Sequence, residues 1–136
     1  MTLSSEKKKT WKVFSEYIRL RDCLETTGRE DMGKCCTCGR VYPFKKLQAG
    51  HWLPGRHSSV LFDEQNCHAQ YYGCNIGMKG NPIRYYHFME EKYGFEVMAT
   101  LEQIDSRPEK IKAFELIHMR DEFKALIQAL KNKKRE

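Results

Sequence analysis

Residues 35–54 read CCTCGRVYPFKKLQAGHWLP, and the reading of this stretch decides the fold. Cys35 and Cys38 are three apart and Gly39 follows them, a turn spacing that brings two sulfurs onto one ion. One loop and one short apolar run then lead to His51. Knuckle and imidazole are either one site, two sites or ordinary packing, and the rest of the chain has to separate these readings.

The chain has 136 residues, 40% of them hydrophobic and 31% charged, the profile of one domain (1–136) with a modest core. No apolar run approaches the ~20 residues that span a bilayer, and no signal-peptide pattern opens the chain. A cytoplasmic location, with no membrane partner, is therefore expected. In a reducing compartment the six cysteines are poor disulfide candidates, and cysteines three apart point to metal. The net charge is +6 with a pI near 9.0, compatible with a nucleic-acid partner. Residues 35–80 carry five Lys and Arg against only Asp63 and Glu64, so a polyanion meets little repulsion there.

Three segments follow from the patterning. Residues 1–28 form an N-terminal helix, with Trp11, Phe14, Ile18 and Leu24 at helical spacing and Gly28 as its stop. Residues 33–95 form a loop-rich core in which "RVYPF", "LQAGHWL" and "VLF" read as short strands. It ends in a helix with Asn81 at the N-cap, Pro82 in the first turn and Gly94 as the stop. Residues 96–136 supply a helix near 96–104 and a long one from about Pro108 to Asn132. The latter's stripe is Ile111, Phe114, Ile117, Met119, Phe123, Leu126, Ile127 and Leu130, and its end, KNKKRE, suits a fraying helix C-terminus. A core this loop-rich buries little apolar surface for its length, which a metal staple would offset.

A tetrahedral zinc needs two ligands besides Cys35 and Cys38. Downstream, NCHAQYYGCN offers Cys67, His68 and Cys74. The partner of Cys74 in a second pair would stand at position 71, which is Tyr71. Cys74 is the third ligand, and Cys67 is the chemical substitute for the fourth, although a strand would hold it on the order of 13 Å from position 71. That fourth place stays open. Cys36 is a spare thiol and Cys23 belongs to the core.

Between the knuckles run His51, Asn66 and Asn75. This His…Asn…Asn series resembles the HNH endonuclease family of the ββα-metal fold, and within it the chain looks most like the lambda NinG type of phage recombination protein. The resembling words are YIRLRD (17–22), CTCGR (36–40), LQAGHW (47–52), PGRH (54–57), FDEQNCHAQ (62–70) and GCN…KGN (73–81). The resemblance implies an α+β protein, a ββα-metal core with a zinc knuckle braced by N- and C-terminal helices. It implies a divalent-metal-dependent DNA endonuclease of phage origin in the host cytoplasm, leaving 5′-phosphate and 3′-hydroxyl ends. Branched or recombination-intermediate DNA is the implied substrate, and a homodimer would cut two strands symmetrically. His51 is then the general base and Asn66 the brace of its loop. Asn75 is the ligand of a catalytic Mg²⁺ or Mn²⁺, and the Zn²⁺ is structural.

The chemistry suits those residue types. An imidazole with a pKa near 6.5 takes a proton from water near neutral pH, provided its second nitrogen is held by an acceptor such as a backbone carbonyl. A hard cation binds amide oxygen and neutralises charge on the phosphate, a task for which cysteine is a poor ligand. Knuckle and imidazole are thus expected to be adjacent but separate sites. Many HNH enzymes carry Asp or His just before the catalytic His, where this chain has Gly50, so Asp63, Glu64, His68 or water would complete the metal sphere. Arg56, Lys79, Arg19 and Arg21 are the candidate phosphate contacts. Against all this stand a non-catalytic zinc-containing DNA-binding module and an inert component of a recombination complex, neither of which needs His51.

Overall fold

The computed structural model describes residues 2–135, with the backbone alone for 134 and 135. Helix α1 (Leu3–Thr27) opens on Thr2, whose hydroxyl accepts from Ser5 N at 3.1 Å. It stops where Gly28 turns left-handed (φ 74°) and donates its N–H to Leu24 O, a conformation that a residue without Cβ adopts freely. Its apolar face, Phe14, Tyr17, Ile18, Leu20 and Cys23, is buried.

Two antiparallel hairpins follow. The smaller pairs β1 (Met32–Lys34) with β2 (Val41–Pro43) and carries the Cys35–Gly39 turn at its tip. The larger pairs β3 (Leu47–His51) with β4 (Cys67–Tyr71), in register Leu47↔Tyr71 to His51↔Cys67. The VLF run, expected as a strand, instead lies in a 3₁₀ turn, Ser59–Phe62, inside the long connection between β3 and β4. Fully buried Asn66 organises that connection. Its carboxamide donates to Leu53 O and Val60 O and accepts from Leu53 N.

Strand alternation sorts the larger hairpin into two faces. Leu47, Ala49, His51, Cys67, Ala69 and Tyr71 share one; Gln48, Gly50, His68 and Gln70 share the other. On the first face Ala49 and Cys67 pack with Phe14, Ile18 and Phe62, and Leu47 and Ala69 with Cys23. The second face meets α2 (Pro82–Lys92) and α3 (Phe95–Asp105), whose Tyr85, Met89, Met98 and Leu101 enclose Val60. The final helix, α4 (Ala113–Arg135), lies along α1 and adds Leu116, Phe123 and Ile127 to the first cluster.

Several boundaries differ from the sequence reading for identifiable reasons. Asn81 stands at the N-cap of α2 but in a left-handed conformation (φ 48°), and its side chain caps nothing. Helix α4 begins at Ala113 rather than Pro108, because Glu109 N is engaged by His57 O and Glu115 reaches back to Lys112 N as half of a capping box. Its inward face is set by fully buried Leu116, whereas Phe114 and Leu126 point outward. The helix extends to Arg135, and Glu136 lies outside the described residues.

Helix α1 is bonded to the outer edge of β4. Asp22 accepts Ala69 N at 2.7 Å and Arg21 Nε at 2.8 Å, and Arg21 donates to Cys67 O and Glu64 O, each at 2.8 Å. Cys36 N donates to Ala69 O at 3.0 Å, tying the small hairpin to the same edge. Removing one partner of a buried pair strands the other charge, so Asp22→Ala should cost about 3–5 kcal/mol in urea unfolding. Glu25→Ala, which breaks a more exposed pair with Lys92, should cost under about 1 kcal/mol.

His68 supplies a second prediction. Tyr85 donates its hydroxyl proton to Gly50 O, so His68 Nδ1–H donates to Tyr85, and His68 Nε2 accepts from Tyr93 at 2.7 Å. Burial, then the charges of Arg21 and Lys92, hold its pKa well below the ordinary histidine value. The ring stays neutral in the fold and protonates near 6.5 when unfolded, so its stabilisation is complete above about pH 6.5 and falls with pH below it. The slope is about 1.4 kcal/mol per pH unit for such a group. Thermal unfolding between pH 7.5 and 5 should show the loss, and His68→Gln should flatten it.

Candidate functional site

The thiol site grows from the Cys35–Gly39 turn. Cys35 N donates to Arg40 O, Gly39 N to Cys35 O, and Cys38 N points at Cys35 Sγ at 3.5 Å. The second half comes from the π-type turn Gly73–Gly77 that follows β4 and carries Cys74. The sulfurs of Cys35, Cys38 and Cys74 all lie within 4.8 Å of one another. Burial pushes the Cys35 thiol up, but the N–H groups of Cys38, Tyr71 and Thr37 and the Thr37 hydroxyl outweigh it and hold Cys35 below the usual thiol range. A sulfur so surrounded is a ready metal ligand, and a soft thiolate set suits zinc. Cys67 is not part of this cluster: it faces α1 in the core, its thiol raised by burial. Cys36 turns to the other side of the turn, among the side chains around Tyr85 and Met89.

His51 occupies the other end of the hairpin. Its Nε2 lies 2.9 Å from Leu61 O and so carries the proton, while Nδ1 has no hydrogen-bond partner among the described residues. Trp11 stacks on one face of the ring, with centroids 5.0 Å apart and planes at 21°. Burial lowers the His51 pKa, and the Leu61 bond only partly opposes this. The ring lines a cleft of about 390 Å³ with Ser4, Lys7, Lys8, Trp11, Leu61 and Phe62. Lys7 and Leu61 also line an adjoining hollow that contains exposed Arg56 and His57. Lys7, Lys8 and Arg56 thus form a cationic rim on the His51 side. Only Arg56 was legible as a candidate. The run Lys7–Lys9 reads as a solvated helix face until tertiary structure brings it to His51.

The remaining candidates are dispersed. Asn75 donates to Gln48 Oε1 at 2.7 Å, and Gln48 leaves β3 on the face opposite His51, three residues or roughly 10 Å along the strand. The structure therefore brings Asn66 to the His51 loop but not Asn75 to the imidazole. The candidate partners of Asn75 are engaged elsewhere among the described residues: Asp63 Oδ1 accepts Gln65 N, Glu64 Oε1 accepts the Tyr17 hydroxyl, and both His68 nitrogens face tyrosines. Two neutral amides do not make a pocket for a hard divalent cation, which prefers carboxylate oxygen. A Cβ at Gly50 would lie 2.0 Å from Gln70 Oε1, so Gln70 fills the space of the missing ligand. Gln70 Nε2 meanwhile donates to Thr37 Oγ1 and Gly80 O. Arg21 is committed inside the fold, and Arg19 bonds Ser15 O with its guanidinium 4.4 Å from the Phe44 ring centre. Lys79 is exposed in a left-handed turn (φ 51°).

The family model for the bacteriophage lambda NinG protein matches residues 2–134. The chain belongs to the NinG family. No curated protein and no solved structure matches it. The NinG match covers both the thiol cluster and the His51 cleft, and no helix of the described residues is long and apolar enough to cross a membrane. In this NinG protein the cysteine cluster should bind about one zinc per chain by elemental analysis. A strong chelator should lower its melting temperature, and Cys74→Ser should abolish both the zinc and the chelator effect.

Proposed function

We propose that this NinG-family protein is a DNA endonuclease of the HNH type, with a ββα-metal core, that acts on branched DNA during phage recombination with His51 as general base. The observation that carries the reading is the bond from His51 Nε2–H to Leu61 O. It fixes the tautomer and makes Nδ1 the acceptor nitrogen of a ring that lines the cleft. The Leu61 carbonyl is held where it is by Asn66, which binds both sides of the loop at Leu53 and Val60.

In this reading Nδ1 takes a proton from a water that attacks phosphorus in line, the P–O3′ bond breaks, and the leaving 3′ oxygen takes a proton from solvent. Lys7, Lys8 and Arg56 hold the flanking phosphates and offset their charge. Trp11 keeps the imidazole from turning. The thiol site fixes the turn after β4 and takes no part in proton transfer. In HNH enzymes a Mg²⁺ or Mn²⁺ ion supplies further charge neutralisation; here Asn75 stands apart from His51 with only an amide partner, so no step is assigned to such an ion.

The experiment is cleavage of plasmid and four-way-junction DNA with Mg²⁺ or Mn²⁺. His51→Ala should lower the rate by about 10²–10⁴ while leaving junction affinity unchanged. Because burial lowers the imidazole pKa, the neutral base predominates at pH 7, and the acid limb of the rate profile should lie below the ordinary histidine value. Each of Lys7→Ala, Lys8→Ala and Arg56→Ala should reduce the salt dependence of binding by about one unit of slope. The separation of Asn75 from His51 favours a second reading, a non-catalytic zinc-containing DNA-binding or structural component. It requires that wild type cut nothing with any metal while binding DNA with steep salt dependence.

A further inference from the structure

The thiol cluster supplies three sulfurs, and no fourth His, Cys, Asp or Glu among the described residues joins them. Position 71, where a second cysteine pair would place its sulfur, holds Tyr71, and the Tyr71 N–H is already directed at Cys35 Sγ. The Tyr71 ring lies flat against Tyr42, with centroids 4.1 Å apart and planes at 5°. That stack sets the Tyr42 hydroxyl 3.4 Å from Cys38 Sγ. A zinc with sulfur at about 2.3 Å and oxygen at about 2.0 Å in tetrahedral geometry places those two atoms about 3.5 Å apart.

We propose that the phenol oxygen of Tyr42 is the fourth ligand of the ion held by Cys35, Cys38 and Cys74, so that the site is S₃O rather than S₄. This inference rests on the cysteines binding a metal. As the oxygen coordinates, it displaces a water from the ion, its proton passes to solvent, and its hydrogen bond with Cys38 Sγ gives way to the shared ion. Tyr42 is held for the role from two sides: its backbone pairs with Gly33 in the small hairpin, and its ring packs beside Leu47 and Phe44.

The rival donors are committed elsewhere. Thr37 Oγ1 is 3.4 Å from Cys35 Sγ, but it accepts from Gln70 Nε2 at 3.1 Å, and an aliphatic hydroxyl is a weaker zinc ligand than a phenol oxygen. His68 has both nitrogens on tyrosine hydroxyls. Tyr71 therefore sets the Tyr42 ring in place and leaves the coordination to it.

Cobalt(II) titration of the full chain tests the assignment, followed by absorption spectroscopy and competition with a chelator of known affinity. Wild type should show thiolate-to-cobalt charge transfer together with the ultraviolet difference signal of one tyrosine losing its proton. Tyr42→Phe keeps the stack and the fold, and should lose that signal and at least about tenfold in affinity. Tyr42→Cys should restore affinity and shift the visible bands towards those of four thiolates. Tyr71→Phe should match wild type. Unchanged affinity and spectrum in Tyr42→Phe, or loss of the tyrosine signal in Tyr71→Phe instead, overturns the assignment. If wild type shows no thiolate-to-cobalt band at all, the metal reading of the cysteines fails with it, an outcome distinct from binding that ignores Tyr42.

Discussion

The bonding of β4's outer edge is the constraint from which the rest of the molecule follows. A two-stranded hairpin leaves both outer edges with unpaired backbone groups, and burying them unpaired is costly. Here α1 lays the Arg21–Asp22 pair along one edge, so that Ala69 N and Cys67 O find charged partners, and Cys36 N takes Ala69 O. One row of hydrogen bonds thus fixes α1, the larger hairpin and the cysteine turn relative to each other. It also explains why a buried carboxylate is tolerated: burial raises the Asp22 pKa, and the Arg21 charge and hydrogen bond oppose that rise.

The hairpin then divides the chemistry. Its α1 face ends in His51, polarised by a carbonyl and covered by an indole. Its opposite end meets the sulfurs that cross from the small hairpin to the turn after β4. The two groups lie at opposite ends of β3, so the thiol site acts on His51 only by holding the strand and its connection rigid. Asn75 belongs with the thiol end, next to Cys74 and bonded to Gln48.

Local signals carried well and tertiary ones did not. The spacing Cys35-x-x-Cys38 and the lone Cys74 were legible because a Cys-x-x-Cys-Gly turn has few uses besides holding a metal. Gly28 and Gly94 marked helix ends through backbone freedom, and both take positive φ. Arg21 read as a surface cation because nothing local reveals that β4's edge lies against it. Leu116 was missed because neighbouring Phe114 and Ile117 matched the period equally well, and only packing against α1 selects among them. Trp11 above His51 spans forty residues of sequence and leaves no mark in either neighbourhood.

Gly50 has a consequence for what this scaffold can become. With no side chain there, the Gln70 carboxamide crosses the strand and ties Thr37, in the first cysteine turn, to Gly80, beyond the second. Any acid installed at position 50 to grip a hard cation would push that cross-tie out and loosen both halves of the sulfur cage. A closed soft-metal cage and a carboxylate at position 50 are therefore alternatives on this backbone, and exchanging one for the other demands that residues 50 and 70 change together.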